Sequence, residues 1–168
     1  MTAGADTEPG AADREPDRLN VRWLTAAQQR VWRTYLLGSA RITEVLDNDL
    51  RSHGLDLGEY QILMCLEEAP DRSLRMSQLA ERVHQSRSRL THAISRLEGR
   101  GLVSRQRSQR DGRGVYATLT PDGFALLEKA APSHVEAVRR IFVESVAPED
   151  FSALGRAFDD VLNVEEQL

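Results

Sequence analysis

Apolar residues recur at helical spacing over most of the chain, and the pattern breaks once, past the middle, into two short alternating runs. Val31, Trp32, Tyr35, Leu36, Ile42, Leu46 and Leu50 predict a long helix over 26–53. Thr25-Ala26-Ala27-Gln28 has the form of a capping box at its start, with Leu24 as the staple residue, and Gly54 stops it. Asp56-Leu57-Gly58-Glu59 opens a second helix through Tyr60, Leu63, Met64 and Leu66 that closes before Pro70. This helix is apolar around much of its circumference, which places it at the centre of the core. Pro70-Asp71-Arg72-Ser73 reads as a turn, and Leu74 to Val83 as a short helix with Leu79, Ala80 and Val83 on one side.

His84-Gln85-Ser86 breaks that helix, and Ser86 is a good N-cap for the next, over 86–100. Its apolar stripe is Leu90, Ala93, Ile94 and Leu97. Ser88, His92 and Ser95 lie about 140–200° away around the helix, flanked by Arg89 and Arg96 and, on the other side, by Thr91. The outward face is therefore small, polar and cationic.

Gly99-Arg100-Gly101 ends the helix, and strands over 102–107 and 115–119 form a basic hairpin around Arg110-Asp111-Gly112-Arg113-Gly114. Thr120-Pro121-Asp122-Gly123 starts a helix expected to run to about 145 and to bend at Pro132. A last helix begins at Pro148 and carries Phe151, Leu154, Phe158, Val161 and Leu162. Residues 1–19 have almost nothing to bury and read as a disordered tail. The expected fold is mainly α with a small β-hairpin wing. Residues 56–119 are expected to form a winged helix-turn-helix unit, and 20–55 with 120–168 a helical dimerisation region.

Composition narrows the function. With 168 residues, 40% hydrophobic and 29% charged, the chain is an ordinary globular one. No apolar run is long enough to span a bilayer, and the N-terminus lacks the basic and apolar regions of a secretory signal, so a cytoplasmic location is expected. The single cysteine, Cys65, sits in an apolar segment and reads as a small buried hydrophobe; a redox-sensing thiol is the alternative.

Net charge is −4, which looks wrong for a partner of nucleic acid until the charge is located. Residues 72–116 hold eleven arginines against Glu81, Glu98 and Asp111, a balance of +8 that leaves −12 for the rest. A basic stretch on an acidic body is the asymmetry of one surface that meets a polyanion. The preponderance of arginine over lysine, 21 to 1, explains which cation is used but not why the cations cluster.

A helix fits the major groove of B-DNA, where Ser88, Arg89, Thr91, His92 and Ser95 can read base edges. The hairpin then reaches the neighbouring minor groove with Arg113 at its tip, and Asp111 orients Arg113 or Arg110. Arg72, Arg75, Arg87, Arg96, Arg105 and Arg107 are expected to contact phosphates. The flanking helices carry more apolar stripe than a DNA-reading unit of this size can cover, which predicts two-fold pairing.

The runs Arg75-Met76-Ser77-Gln78-Leu79-Ala80-Glu81-Arg82, Ser86-Arg87-Ser88-Arg89-Leu90-Thr91-His92, Arg96-Leu97-Glu98-Gly99-Arg100-Gly101-Leu102-Val103 and Arg110-Asp111-Gly112-Arg113-Gly114, followed by Leu119-Thr120-Pro121-Asp122-Gly123, resemble the multiple-antibiotic-resistance regulator (MarR) family. The resemblance extends from about Trp23 to Leu162. It implies an obligate homodimer on pseudo-palindromic double-stranded DNA, with a wing arginine at Arg113 and base contacts near Ser88, Arg89 and His92. It also implies a ligand-responsive repressor, released by a small aromatic or phenolic ligand. Trp32, Tyr35, His53 and Tyr60 are the candidate pocket residues.

Rival functions find less support. No catalytic motif is present, so no catalytic residue and no cofactor are expected. His53, His84, His92 and His134 show no ligand spacing with acids, so no metal is expected. RNA binding lacks a stacking platform, because Tyr116 is the one aromatic residue of the basic window. A protein–protein adaptor on the same winged-helix fold is the alternative.

Overall fold

A computed structural model of the protein describes residues 21–107 and 114–164. The tail over 1–19 and the hairpin tip with Arg110, Asp111 and Arg113 lie outside the described residues. The chain divides into two units within its first helix, between Leu36 and Leu37.

The first unit contains the start of α1 (Ala26–Arg51). The capping box is formed: the Thr25 amide donates to Gln28 Oε1 at 2.9 Å, and the Gln28 amide donates to Thr25 Oγ1 at 3.2 Å. Trp32 and Tyr35 stack with ring centroids 5.6 Å apart. Trp23, Val31 and Trp32 are exposed.

The second unit holds the core. Its elements after α1 are α2 (Leu57–Glu67), a 3₁₀ turn (Pro70–Arg72), β1 (Ser73–Arg75), α3 (Met76–Arg82), α4 (Arg87–Gly99), β2 (Val103–Arg107), β3 (Val115–Leu119), α5 (Pro121–Val138) and α6 (Pro148–Leu162). Leu50 and Leu55 pack with Ile62, Leu63 and Leu66 of α2, Leu79 of α3, and Leu90, Ile94 and Leu97 of α4, all fully or almost fully buried. α2 lies at the centre, as its uniform apolarity predicts.

The sheet has three antiparallel strands in the order β1-β3-β2. Leu74 pairs with Ala117, and Val103 with Leu119, so the inward side chains of both ladders join the core. This corrects the expected third helix. Ser73-Leu74-Arg75 does not begin it but forms β1, because β3 offers a ladder that no local pattern reveals.

Two joints set the rest. Gly101 adopts φ +74 just beyond α4, a left-handed conformation that costs glycine least. The Thr120 hydroxyl then donates to Gly101 O at 2.7 Å and accepts from the Gly123 amide at 3.0 Å, so one side chain caps α5 and ties it to the end of α4. α5 also ends sooner than expected. Its regular part stops at Val138 and a π turn over Arg139–Val143 follows, closed by the Glu144 amide on Arg139 O at 2.8 Å.

Candidate nucleic-acid interface

α3 and α4 form the helix-turn-helix. The connecting turn places His84 at φ +48, and Ser86 caps α4 by accepting from the Arg89 amide at 3.3 Å. Leu90, Ala93, Ile94 and Leu97 are buried, as the stripe predicts. Ser88, Arg89, His92 and Ser95 are exposed on the far side. Thr91 is exposed too, but its hydroxyl donates to Arg87 O of its own helix at 2.7 Å.

Beside this face, α3, α4 and the base of the hairpin enclose a cavity of about 500 Å³, lined by Arg75, Ser77, Arg87, Thr91, Arg105 and Val115. Arginines at the rim of one concavity, Arg105 among them already paired with Glu98, favour anionic oxygens there.

The six arginines expected at phosphates divide by what they already touch. Arg87 and Arg107 are exposed, and no carboxylate pairs with them among the described residues. Arg75 Nε donates to Tyr116 Oη at 2.8 Å across the β1–β3 ladder. Arg72 lies over the Phe124 ring, 3.8 Å from its centroid. Arg105 is bound by Glu98 through both backbone and guanidinium, and this pairing holds the Glu98 carboxyl below its ordinary range. Arg96 bridges two carboxylates, Glu59 at 3.0 Å and Asp56 at 3.2 Å, while Arg100 reaches Glu59 at 3.4 Å.

The roles of Glu59 and Asp56 were not legible in the sequence beyond their capping pattern. The signal available was a charged residue on an otherwise core-forming helix, matched by arginines one turn apart at 96 and 100. Only the tertiary fold brings them together.

The four candidate pocket residues are split between the units. Trp32 and Tyr35 belong to the first, and His53 and Tyr60 to the second. His53 Nε2 lies 3.0 Å from Ser133 Oγ of α5, and Ser133 Oγ donates to Asp49 Oδ2 at 3.1 Å. Tyr60 is buried against His134, with centroids 4.3 Å apart, and burial pushes its hydroxyl pKa up. Cys65 is half-buried and burial raises its thiol pKa, the opposite of what a reactive thiolate needs.

No group of side chains suited to hold a metal ion occurs among the described residues, and none of their helices is long and apolar enough to cross a membrane. The MarR family profile matches residues 53–114. The crystal structure of AbsC, a MarR family transcriptional regulator from Streptomyces coelicolor, is 42% identical with a TM-score of 0.80, covering 84% of this chain and 96% of that one. Sco3205, a MarR family transcriptional regulator from the same organism solved in complex with DNA, is 38% identical with a TM-score of 0.83, covering 88% and 95%. The transcriptional repressor YetL of Bacillus subtilis is 30% identical over 112 residues, 67% of this chain, and the chain spans 66% of that repressor's own length.

Proposed function

The chain belongs to the MarR family of DNA-binding transcriptional regulators, and on that premise we propose that it acts as a homodimeric, ligand-responsive repressor of a pseudo-palindromic operator. The observation that carries the DNA half is α4 itself, a helix buried along Leu90–Leu97 whose opposite face presents Ser88, Arg89, His92 and Ser95 beside a three-arginine cavity. Those side chains, with Thr91, read base edges in the major groove. Arg75, Arg87 and Arg107 hold the flanking phosphates, whereas Arg72, Arg96 and Arg105 are engaged with Phe124, with two carboxylates and with Glu98. Arg113, with Arg110 and Asp111, enters the minor groove, an assignment that rests on the sequence pattern of the wing.

The dimer reading is supported by α6, none of whose residues is buried although it carries Phe151, Phe158, Val161 and Leu162. A helix of that kind requires a partner surface. Two-fold pairing would set the recognition helices one DNA turn apart, roughly 34 Å. Residues 20–55 and 120–168 supply that pairing region and 56–119 the reading head. A small aromatic or phenolic effector is favoured by the polar corner of Asp49, His53 and Ser133 beside Tyr60, where His134 Nδ1 has no hydrogen-bond partner among the described residues.

The test is selection of duplexes from a random library by the purified protein, followed by fluorescence anisotropy on the selected and a shuffled duplex across a salt series. The reading requires a preferred sequence with two-fold symmetry, loss of affinity in Arg89→Ala and Arg113→Ala, and a salt slope of roughly 0.9 per neutralised phosphate. Failure to enrich any sequence, with no salt-sensitive binding, would overturn it in favour of a protein-binding adaptor.

A further inference from the structure

Glu59 is the one buried charged residue among the described residues, 5% exposed on a helix whose neighbours Tyr60, Ile62, Leu63 and Leu66 are core. Its carboxylate is fully engaged. Oε1 accepts from Arg96 Nε at 3.0 Å, and Oε2 accepts from Arg100 Nη1 at 3.4 Å and from the Asp56 amide at 3.3 Å. Asp56 accepts from the Glu59 amide through Oδ1 at 2.7 Å and from Arg96 Nη2 through Oδ2 at 3.2 Å. Two acids at the start of α2 thus grip two arginines one turn apart on α4.

Helix capping does not account for this. A glutamine at position 59 could serve the Asp56 amide equally well. Nor does stability, since burying a carboxylate costs solvation that its partners return only in part, and apolar replacements of buried ion pairs are often as stable. What a fork of charged hydrogen bonds supplies and an apolar contact does not is direction. The contacts fix the roll of α4 about its own axis. A roll of about 20° would carry the outer side chains, at a radius of roughly 5–6 Å, through about 2 Å. That displacement exceeds what hydrogen bonds to base edges tolerate. The same contacts withdraw two cations from sequence-blind attraction to phosphate.

We propose that Glu59, with Asp56, is a selectivity-determining positioning residue: it fixes the angle of the recognition helix and holds Arg96 and Arg100 away from non-specific phosphate contact. The inference rests on the DNA reading of α4 and assigns a role to residues outside the reading face.

The experiment compares the full-length wild type, Glu59→Gln and Glu59→Gln/Arg96→Gln on a duplex selected by the wild type and on a shuffled duplex, across a salt series. In E59Q the shuffled duplex should bind as well as before or better, with a salt slope steeper by roughly 0.9 for each arginine freed. The selected duplex should weaken, so that the selectivity ratio falls about tenfold or more. In the double variant the slope should fall back while the ratio stays low. Far-UV circular dichroism and thermal midpoints check folding, and Glu59→Leu, which fills the buried volume without charge, serves if E59Q does not fold. Parallel weakening on both duplexes, ratio intact, marks a merely structural role and overturns the proposal while leaving the DNA reading standing. A wild type that selects no sequence overturns both.

Discussion

Glu98, in the last turn of α4, receives three hydrogen bonds from one residue of β2: the backbone N–H, Nε and Nη2 of Arg105. The pair spans the left-handed turn at Gly101 and joins the end of the recognition helix to the base of the hairpin. It sets the angle between the two elements assigned to neighbouring grooves.

The hydrogen bonds from Arg105, with its charge, favour the ionised form and hold the Glu98 pKa below the ordinary 4.5. A carboxyl depressed in the fold contributes stability that is full above the unfolded value and is lost as pH falls through the folded one. The thermal midpoint of the wild type should therefore exceed that of Glu98→Gln at neutral pH, and the gap should close below about pH 4.5. A gap that stays constant from pH 7 to pH 3.5, to be covered by the scan in about half-unit steps, would remove the pairing as its cause.

His84 occupies φ +48 in the turn between α3 and α4, where a side chain crowds the following carbonyl. That conformation costs a non-glycine residue roughly 1–2 kcal/mol. Part of this gain is offset by the greater freedom of an unfolded glycine. His84→Gly should still raise the thermal midpoint by about 2–4 °C, the shift expected for roughly 1 kcal/mol in a chain of this size. A lowered midpoint would mean that His84 makes contacts outweighing its strain.

Gly123 and Gly99 should respond oppositely to alanine. A Cβ on Gly123 would lie 2.1 Å from the Leu102 carbonyl oxygen, a backbone atom that cannot swing aside, so the start of α5 must move. Destabilisation of roughly 1–3 kcal/mol is expected by denaturant titration. A Cβ on Gly99 would meet nothing within 4 Å, and its helical position should gain roughly 0.5–1 kcal/mol. Equal effects at the two sites would contradict the close approach of α5 to Leu102.

These residues also mark how far the sequence could be read. The stripe Leu90-Ala93-Ile94-Leu97, the caps at Asp56, Ser86 and Thr120 and the hairpin strands are local signals, and the fold obeys them. β1 escaped because three residues become a strand only when β3 lies alongside. The arginine window was visible as charge, but not which arginines were already engaged. Whether Arg96 meets Glu59, Arg105 meets Glu98 or Arg72 meets Phe124 depends on tertiary placement that periodicity does not encode. The positive φ at Asp71, Arg72 and His84 was equally silent, since none is glycine.

The proposed pairing surface makes a prediction about mass. Val161 and Leu162, at the end of α6, are 66% and 70% exposed. Val161→Glu/Leu162→Glu should convert dimer to monomer in sedimentation velocity while leaving far-UV circular dichroism near that of the wild type, because neither residue supports its own chain's core. Operator affinity should fall with the loss of the second reading head. An unchanged mass would move the dimer contact away from this end of α6.

His134 provides the pH dependence closest to neutrality. It lies on α5 against the Tyr60 ring, and its Nδ1 is buried without a hydrogen-bond partner among the described residues. Burial holds its pKa below the ordinary 6.5, partly opposed by the Asp49 carboxylate. The fold therefore prefers the neutral imidazole, whereas the unfolded chain takes up its proton at the ordinary value. A base depressed in this way leaves stability intact above pH 6.5, and stability is lost as pH falls through the lower folded value. His134→Phe keeps the ring packing and removes both the proton site and the unpaired nitrogen. It should raise stability by about 1 kcal/mol at neutral pH, the low end of the cost of a buried unsatisfied polar atom. The advantage of the variant should grow as pH is lowered from 6.5, because only the wild type then pits folding against protonation at this site. Denaturant midpoints measured across this range decide the matter, and parallel curves for the two proteins would show that His134 does not carry the dependence.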